Sequence, residues 1–100
     1  MFTVLQTDAF RDWLDGLMDA KAQVRIAARL RLAEAGSLGD WKSVGSGISE
    51  MRVDVGPGYR LYFTRRQNII IVMLAGGDKS TQARDMKRAQ RLLRELELEP

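Results

Sequence analysis

Between Ile48 and Ala75 the chain spells out three strands and leaves little freedom in how they pair. Ile48 to Val55 alternates: Met51, Val53 and Val55 point one way, and Glu50, Arg52 and Asp54 the other. Gly56-Pro57-Gly58 breaks the run. Tyr59 to Thr64 alternates again, with Leu61 and Phe63 on one side and Arg60, Tyr62 and Thr64 on the other. After the polar turn Arg65-Arg66-Gln67-Asn68, Ile69 to Ala75 is apolar on both faces, as in a central strand covered on both sides. Connections this short predict an antiparallel meander, since parallel neighbours need a long crossover.

The flanking segments supply helices. Phe2 to Leu5 is β-prone and suits an edge strand. Thr7 and Asp8 offer N-cap oxygens to a short helix whose Phe10, Trp13, Leu14 and Leu17 share one face. Asp19 caps a second helix, Ala20 to about Ala35, with Ile26, Leu30 and Ala33 as its stripe and Val24 and Ala27 alongside. Gly36 suits a left-handed stop after it. Gly36 to Gly47 holds four glycines in twelve residues and no periodicity, which predicts a loop with Trp41 as an anchor packed on the body. Gly76-Gly77 reads as a turn that ends the third meander strand. Asp78, Ser80 and Thr81 can cap a last helix reaching about Glu97, with Met86, Ala89, Leu93 and Leu96 as its buried stripe. The order β-α-α-β-β-β-α predicts an α+β fold in one domain over residues 1–100: a small antiparallel sheet packed on one face by a helical hairpin and a C-terminal helix.

Two zeros in the composition narrow the chemistry. With no cysteine and no histidine, disulfides, Cys- or His-ligated zinc and the usual nucleophilic triads are excluded. Acid–base groups must come from Asp, Glu, Lys, Arg, Tyr or water. The longest apolar run, Ile69 to Ala75, has seven residues against the ~20 that cross a membrane, and the N-terminus has no signal-peptide pattern; a cytoplasmic protein is expected. The net charge of +3 is uneven. Residues 1–50 carry six basic and seven acidic residues, whereas Arg52 to Arg94 carries ten basic and three acidic. Such a half could face a polyanion or an acidic protein.

The alternation also sorts the polar residues. If Met51, Val53, Val55, Leu61 and Phe63 face the core, then Arg52, Asp54, Arg60 and Tyr62 share the opposite face. Beside them Gly76-Gly77-Asp78-Lys79 leads into the last helix, whose N-terminal amides favour anions. Arg52, Arg60, Lys79 and the amides of Ser80 and Thr81 could converge on a phosphate. The ordinary alternative is an exposed sheet face with Arg/Asp cross-strand pairs.

The run Glu50-Met51-Arg52-Val53-Asp54-Val55-Gly56-Pro57-Gly58-Tyr59-Arg60-Leu61-Tyr62-Phe63 resembles the RelE/ParE toxin superfamily, and so does Leu74-Ala75-Gly76-Gly77-Asp78-Lys79-Ser80-Thr81-Gln82. Phe10-Arg11-Asp12-Trp13-Leu14 and Gly39-Asp40-Trp41-Lys42-Ser43-Val44-Gly45 are similar to its HigB-like branch of addiction module killer proteins. The resemblance implies a RelE-like fold and a type II toxin paired with a small helix-turn-helix antitoxin, meeting operator DNA only through it. It further implies a ribosome-dependent mRNA endoribonuclease without metal or other cofactor. In that reading Arg60 and Arg52 clamp the phosphate, Lys79 clamps or protonates the leaving oxygen, and Tyr62 transfers a proton or stacks on a base. Ser80, Thr81 and Lys42 then contact the substrate. The chain departs from the family in having no histidine and in placing Met86 where some relatives carry a tyrosine. The superfamily also holds non-nuclease toxins that poison DNA gyrase, and these are the alternative reading.

Overall fold

The computed structural model describes residues 1–98. The elements run β1 (Thr3–Gln6), α1 (Asp8–Asp15), α2 (Ala20–Glu34), β2 (Trp41–Gly45), β3 (Ile48–Val53), β4 (Tyr59–Arg66), β5 (Ile70–Asp78), a 3-10 turn (Lys79–Thr81) and α3 (Gln82–Leu98). They form the expected α+β fold around one sheet of order β1-β5-β4-β3-β2. The meander β3-β4-β5 is antiparallel as the short turns require, and β1 joins β5 in parallel at the edge.

The helix signals hold for chemical reasons. The Thr7 hydroxyl accepts from the Phe10 amide at 3.0 Å and starts α1; the Asp19 carboxylate accepts from the Ala22 amide at 3.0 Å and starts α2. Gly36, at φ 103°, lets the Ser37 amide reach back to the Leu32 carbonyl at 2.9 Å and closes α2.

Four features differ from the sequence expectation. The Gly-rich segment contains β2, an edge strand paired antiparallel with β3. Its side chains are mostly exposed and it has no apolar alternation to betray it; its backbone hydrogen bonds alone define it. Trp41 is anchored as expected, its ring 6.2 Å from that of Phe63. Second, the helices divide between the two faces. The α1–α2 hairpin covers Met51, Leu61, Phe63, Ile71 and Met73, whereas α3 lays Met86, Ala89, Leu93 and Leu96 over Ile48, Tyr62, Val72 and Leu74. A β5 apolar on both sides demands this, because leaving either wall wet forgoes roughly 1.5–3 kcal/mol per large side chain. Third, Val24 on α2 is 66% exposed and stands outside the core stripe.

Gly76 and Gly77 lie inside β5, not in a turn. A side chain at Gly76 would run into the Trp13 ring, and one at Gly77 into the Asp85 carboxylate. The two glycines therefore let α1 and α3 press on opposite sides of the same strand. Between Tyr62 and Phe63 of β4, β5 carries an extra residue, so that Leu74 and Ala75 both face α3. The Thr7 hydroxyl donates to the Leu74 carbonyl at 2.8 Å, tying the α1 cap to this bulge.

Gly76→Ala is expected to lower stability by about 1–3 kcal/mol in urea denaturation, because neither the Trp13 ring nor the strand backbone can withdraw cheaply. Unchanged stability would show that Trp13 does not seat on the strand as described.

Candidate functional site

Two side-chain rows cross the sheet beneath and beside α3. In one, Lys42, Glu50, Tyr62 and Ala75 are successive cross-strand partners. In the next, Arg52, Arg60 and Gly77 are partners. Strand alternation puts both rows on the face opposite Met51 and Leu61, as the sequence pattern predicts, but α3, expected on the other face with the hairpin, lies here and covers much of what was expected to be exposed.

The second row sets two guanidiniums directly opposite each other, which by itself is destabilising. Each is partly neutralised. Arg52 Nη2 lies 3.2 Å from Asp40 Oδ1, an exposed pair, and Arg60 Nη1 lies 4.0 Å from the buried Glu50 Oε1. Neither Nε–H is used: both nitrogens are buried and have no hydrogen-bond partner among the described residues. Guanidiniums engage anionic oxygens bidentately, so the pair is the part of this surface suited to such an acceptor. The two arginines, Asp54, the Gly56-Pro57-Gly58 turn and Lys79 line a cleft of about 380 Å³. Gly58, at φ 82°, keeps the turn tight, and its carbonyl accepts from the Lys79 amide at 2.8 Å. Arg52, Arg60 and Lys79 are thus brought together.

The other sequence candidates are placed differently. Asp78 folds its carboxylate back onto the Ser80 amide, at 2.8 Å, and onto the Ser80 hydroxyl. These hydrogen bonds hold the Asp78 carboxyl below its ordinary range. The Thr81 hydroxyl donates to Asp85. The two residues expected to offer amides to a ligand are therefore engaged within the chain, and α3 proper begins after them, at Gln82. The reason is local: an Asp directly before the turn caps it more readily than a free anion does. Lys42 is exposed on β2 and lies outside the cleft lining.

Tyr62 is fully buried under α3, so its ring has no free surface on which a base could stack. Its hydroxyl has no well-formed hydrogen-bond partner among the described residues. Burial first, then the neighbouring Glu50 and Asp85 carboxylates, push its pKa up to about 12, against a smaller opposing effect of Arg60.

Glu50 escaped the sequence reading. It is 4% exposed, pairs with Arg60, and accepts from Gln82 Nε2 at 3.4 Å. Alternation placed it on the polar face; only the packing of α3 makes it a buried carboxylate. Arg29 escaped as well: from α2 its guanidinium donates to the Arg52 carbonyl at 2.6 Å and the Leu38 carbonyl at 3.1 Å, fixing the approach to β2. Its burial outweighs the help of Asp40 and lowers its pKa.

Residues 12–96 match the family described as Phage derived protein Gp49-like (DUF891). An uncharacterized protein of Haemophilus influenzae is 44% identical over 92 residues, which is 92% of this chain and 93% of that one. No helix among the described residues is long and apolar enough to cross a membrane.

The chain has two tyrosines, and burial raises the pKa of Tyr59 as well, helped by Asp19 and Asp78. A phenol whose folded pKa exceeds its unfolded value of 10.0 adds stability below pH 10 that is lost as pH rises toward the folded value. Stability should therefore fall from pH 10 toward 12. Phenolate absorbance of the folded protein should lag that of the unfolded chain, and Tyr62→Phe should remove the later step. Coincident folded and unfolded titrations would contradict the burial described.

Proposed function

Because the chain belongs to the Gp49-like family, a toxin–antitoxin-related family of RelE/HigB-like toxins, we propose that it is the toxin of a type II toxin–antitoxin module and a metal-independent endoribonuclease cutting mRNA on the ribosome. A cognate antitoxin, most simply a small helix-turn-helix protein, is the partner this reading requires, and operator DNA is met only through it. The observation that carries the nuclease reading is the Arg52–Arg60 pair, set in register across two strands and lining one cleft with Lys79.

The chemistry asks for what that pair supplies. A ribose 2′-hydroxyl attacks the adjacent phosphorus and releases its proton to solvent, the P–O5′ bond breaks, the departing oxygen takes up a proton, and a 2′,3′-cyclic phosphate and a 5′-hydroxyl end result. Negative charge grows on the non-bridging oxygens in between, and fixed guanidinium donors stabilise it more than they stabilise the ground state. Lys79, exposed at the cleft rim, is placed to clamp the phosphate or to protonate the departing oxygen. Tyr62 acts from behind the site, where with Glu50 it bounds the position of Arg60.

The ion pair with Glu50 makes Arg60→Ala a poor probe, since it would strand a buried carboxylate. Arg52→Ala, at a side chain 43% exposed, and Arg60→Lys, which keeps the charge, are cleaner. Induced expression of the wild-type chain should create new mRNA 5′ ends clustered in translated frames. Each variant should reduce them by about 10²-fold while its thermal melt stays near wild type. Growth arrest with intact mRNA would sink the nuclease reading and favour gyrase poisoning.

A further inference from the structure

Five cations leave the cleft along α3. Arg84, Lys87, Arg88, Arg91 and Arg94 are all exposed. At 100° per residue they fall within roughly a third of the helix circumference, opposite the side that carries Asp85, Ala89 and Leu93 onto the sheet. The helix follows directly on the 3-10 turn that holds Lys79, a residue of the cleft lining. Among the described residues only Arg84 has a carboxylate within ion-pair distance, Asp85 at 3.6 Å. A groove of about 500 Å³ runs along Arg84, Lys87, Arg88, Gln90, Arg91 and Arg94.

We propose that this face of α3 binds the phosphate backbone of RNA running on from the cleft, and so acts as a second contact surface for the substrate strand. The proposal extends the nuclease reading above.

Two observations select a polynucleotide over an acidic protein. The first is spacing. Arg84 to Arg94 spans ten residues, about 15 Å at 1.5 Å each. A single RNA strand carries one phosphate per nucleotide, so a line of that length faces several of them. A rigid line of five cations matches such a regular ladder, four of them being arginines that can engage phosphate oxygens bidentately. The second is what the stripe lacks. Protein partners anchor on buried apolar and aromatic side chains, yet among the described residues the exposed large hydrophobic ones, such as Val24, Leu32 and Trp41, lie outside α3.

The test is the binding of labelled oligouridine to the full chain by fluorescence anisotropy across a salt series, with polyglutamate as a second polyanion. Arg88→Gln/Arg91→Gln leaves the cleft untouched and keeps good helix formers. This double variant should melt as wild type does and lower the slope of log affinity on log salt by about 1.4, at roughly 0.7 per phosphate contact on a single strand. Polyglutamate should bind weakly and equally to both proteins. An unchanged slope in the folded variant overturns the proposal, as does a wild-type chain that does not bind RNA. Polyglutamate binding as tight as RNA, and weakened by the same factor in the variant, also overturns it and assigns the stripe to an acidic protein partner. Cleavage is read separately: mRNA that stays intact while the slope falls defeats the nuclease reading alone, and cleavage lost in Arg52→Ala with no slope change in the double variant defeats the α3 proposal alone.

Discussion

Everything in this fold leans on β5. It pairs with β1 on one edge and β4 on the other, and its Ile71, Val72, Met73 and Leu74 are buried on both faces. A strand in that position needs a cover on each side, and the chain supplies α1 with α2 on one and α3 on the other. The covers come closest where β5 has no side chains, at Gly76 and Gly77. Trp13 sits over the first and Asp85 over the second. The same strand end delivers Lys79 to the cleft, so the packing that stabilises the domain also sets the geometry of its cationic site.

The cleft works by incomplete cancellation. Asp40 and Glu50 each approach one arginine, and Asp78 is committed to Ser80. The carboxylates make two opposed guanidiniums tolerable without saturating them, since each retains an unused Nε–H. Arg29 contributes without touching the cleft: it grips the carbonyls of Arg52 and Leu38 and so holds the Asp40 segment beside the site. It is a long side chain from the opposite layer, and its role depends on where its head lands, which helical periodicity does not encode.

The meander, the caps at Thr7 and Asp19, and the side of the sheet that carries Arg52 and Arg60 were legible in the residues, because alternation and capping are local physics. Three things were not. β2 has neither alternation nor burial to mark it, being an edge strand held by hydrogen bonds to β3. Glu50 and Tyr62 were assigned correctly to the polar side but not to its interior, since a strand's pattern tells which way a side chain points and not what packs over it. Gly76-Gly77 carries the sequence signature of a turn, and only the Trp13 ring and the Asp85 carboxylate reveal the pair as a place where three elements touch.

The extra residue in β5 has a further implication for how such a chain can change. Because Leu74 and Ala75 both face α3, every position after them has exchanged walls: Gly76 meets Trp13 and Gly77 meets Asp85. Losing the extra residue would straighten the strand and keep both glycines on these walls, whereas closing the bulge without losing a residue would deal each of them to the opposite layer. Straightening of the second kind would invert the parity of the strand end and hand the ring and the carboxylate each other's sites. Changes of length should therefore be tolerated in the turns around Ser46 and Gln67, whereas a single residue inserted between the bulge and Gly76 should be excluded, since it would shift the phase of the strand end.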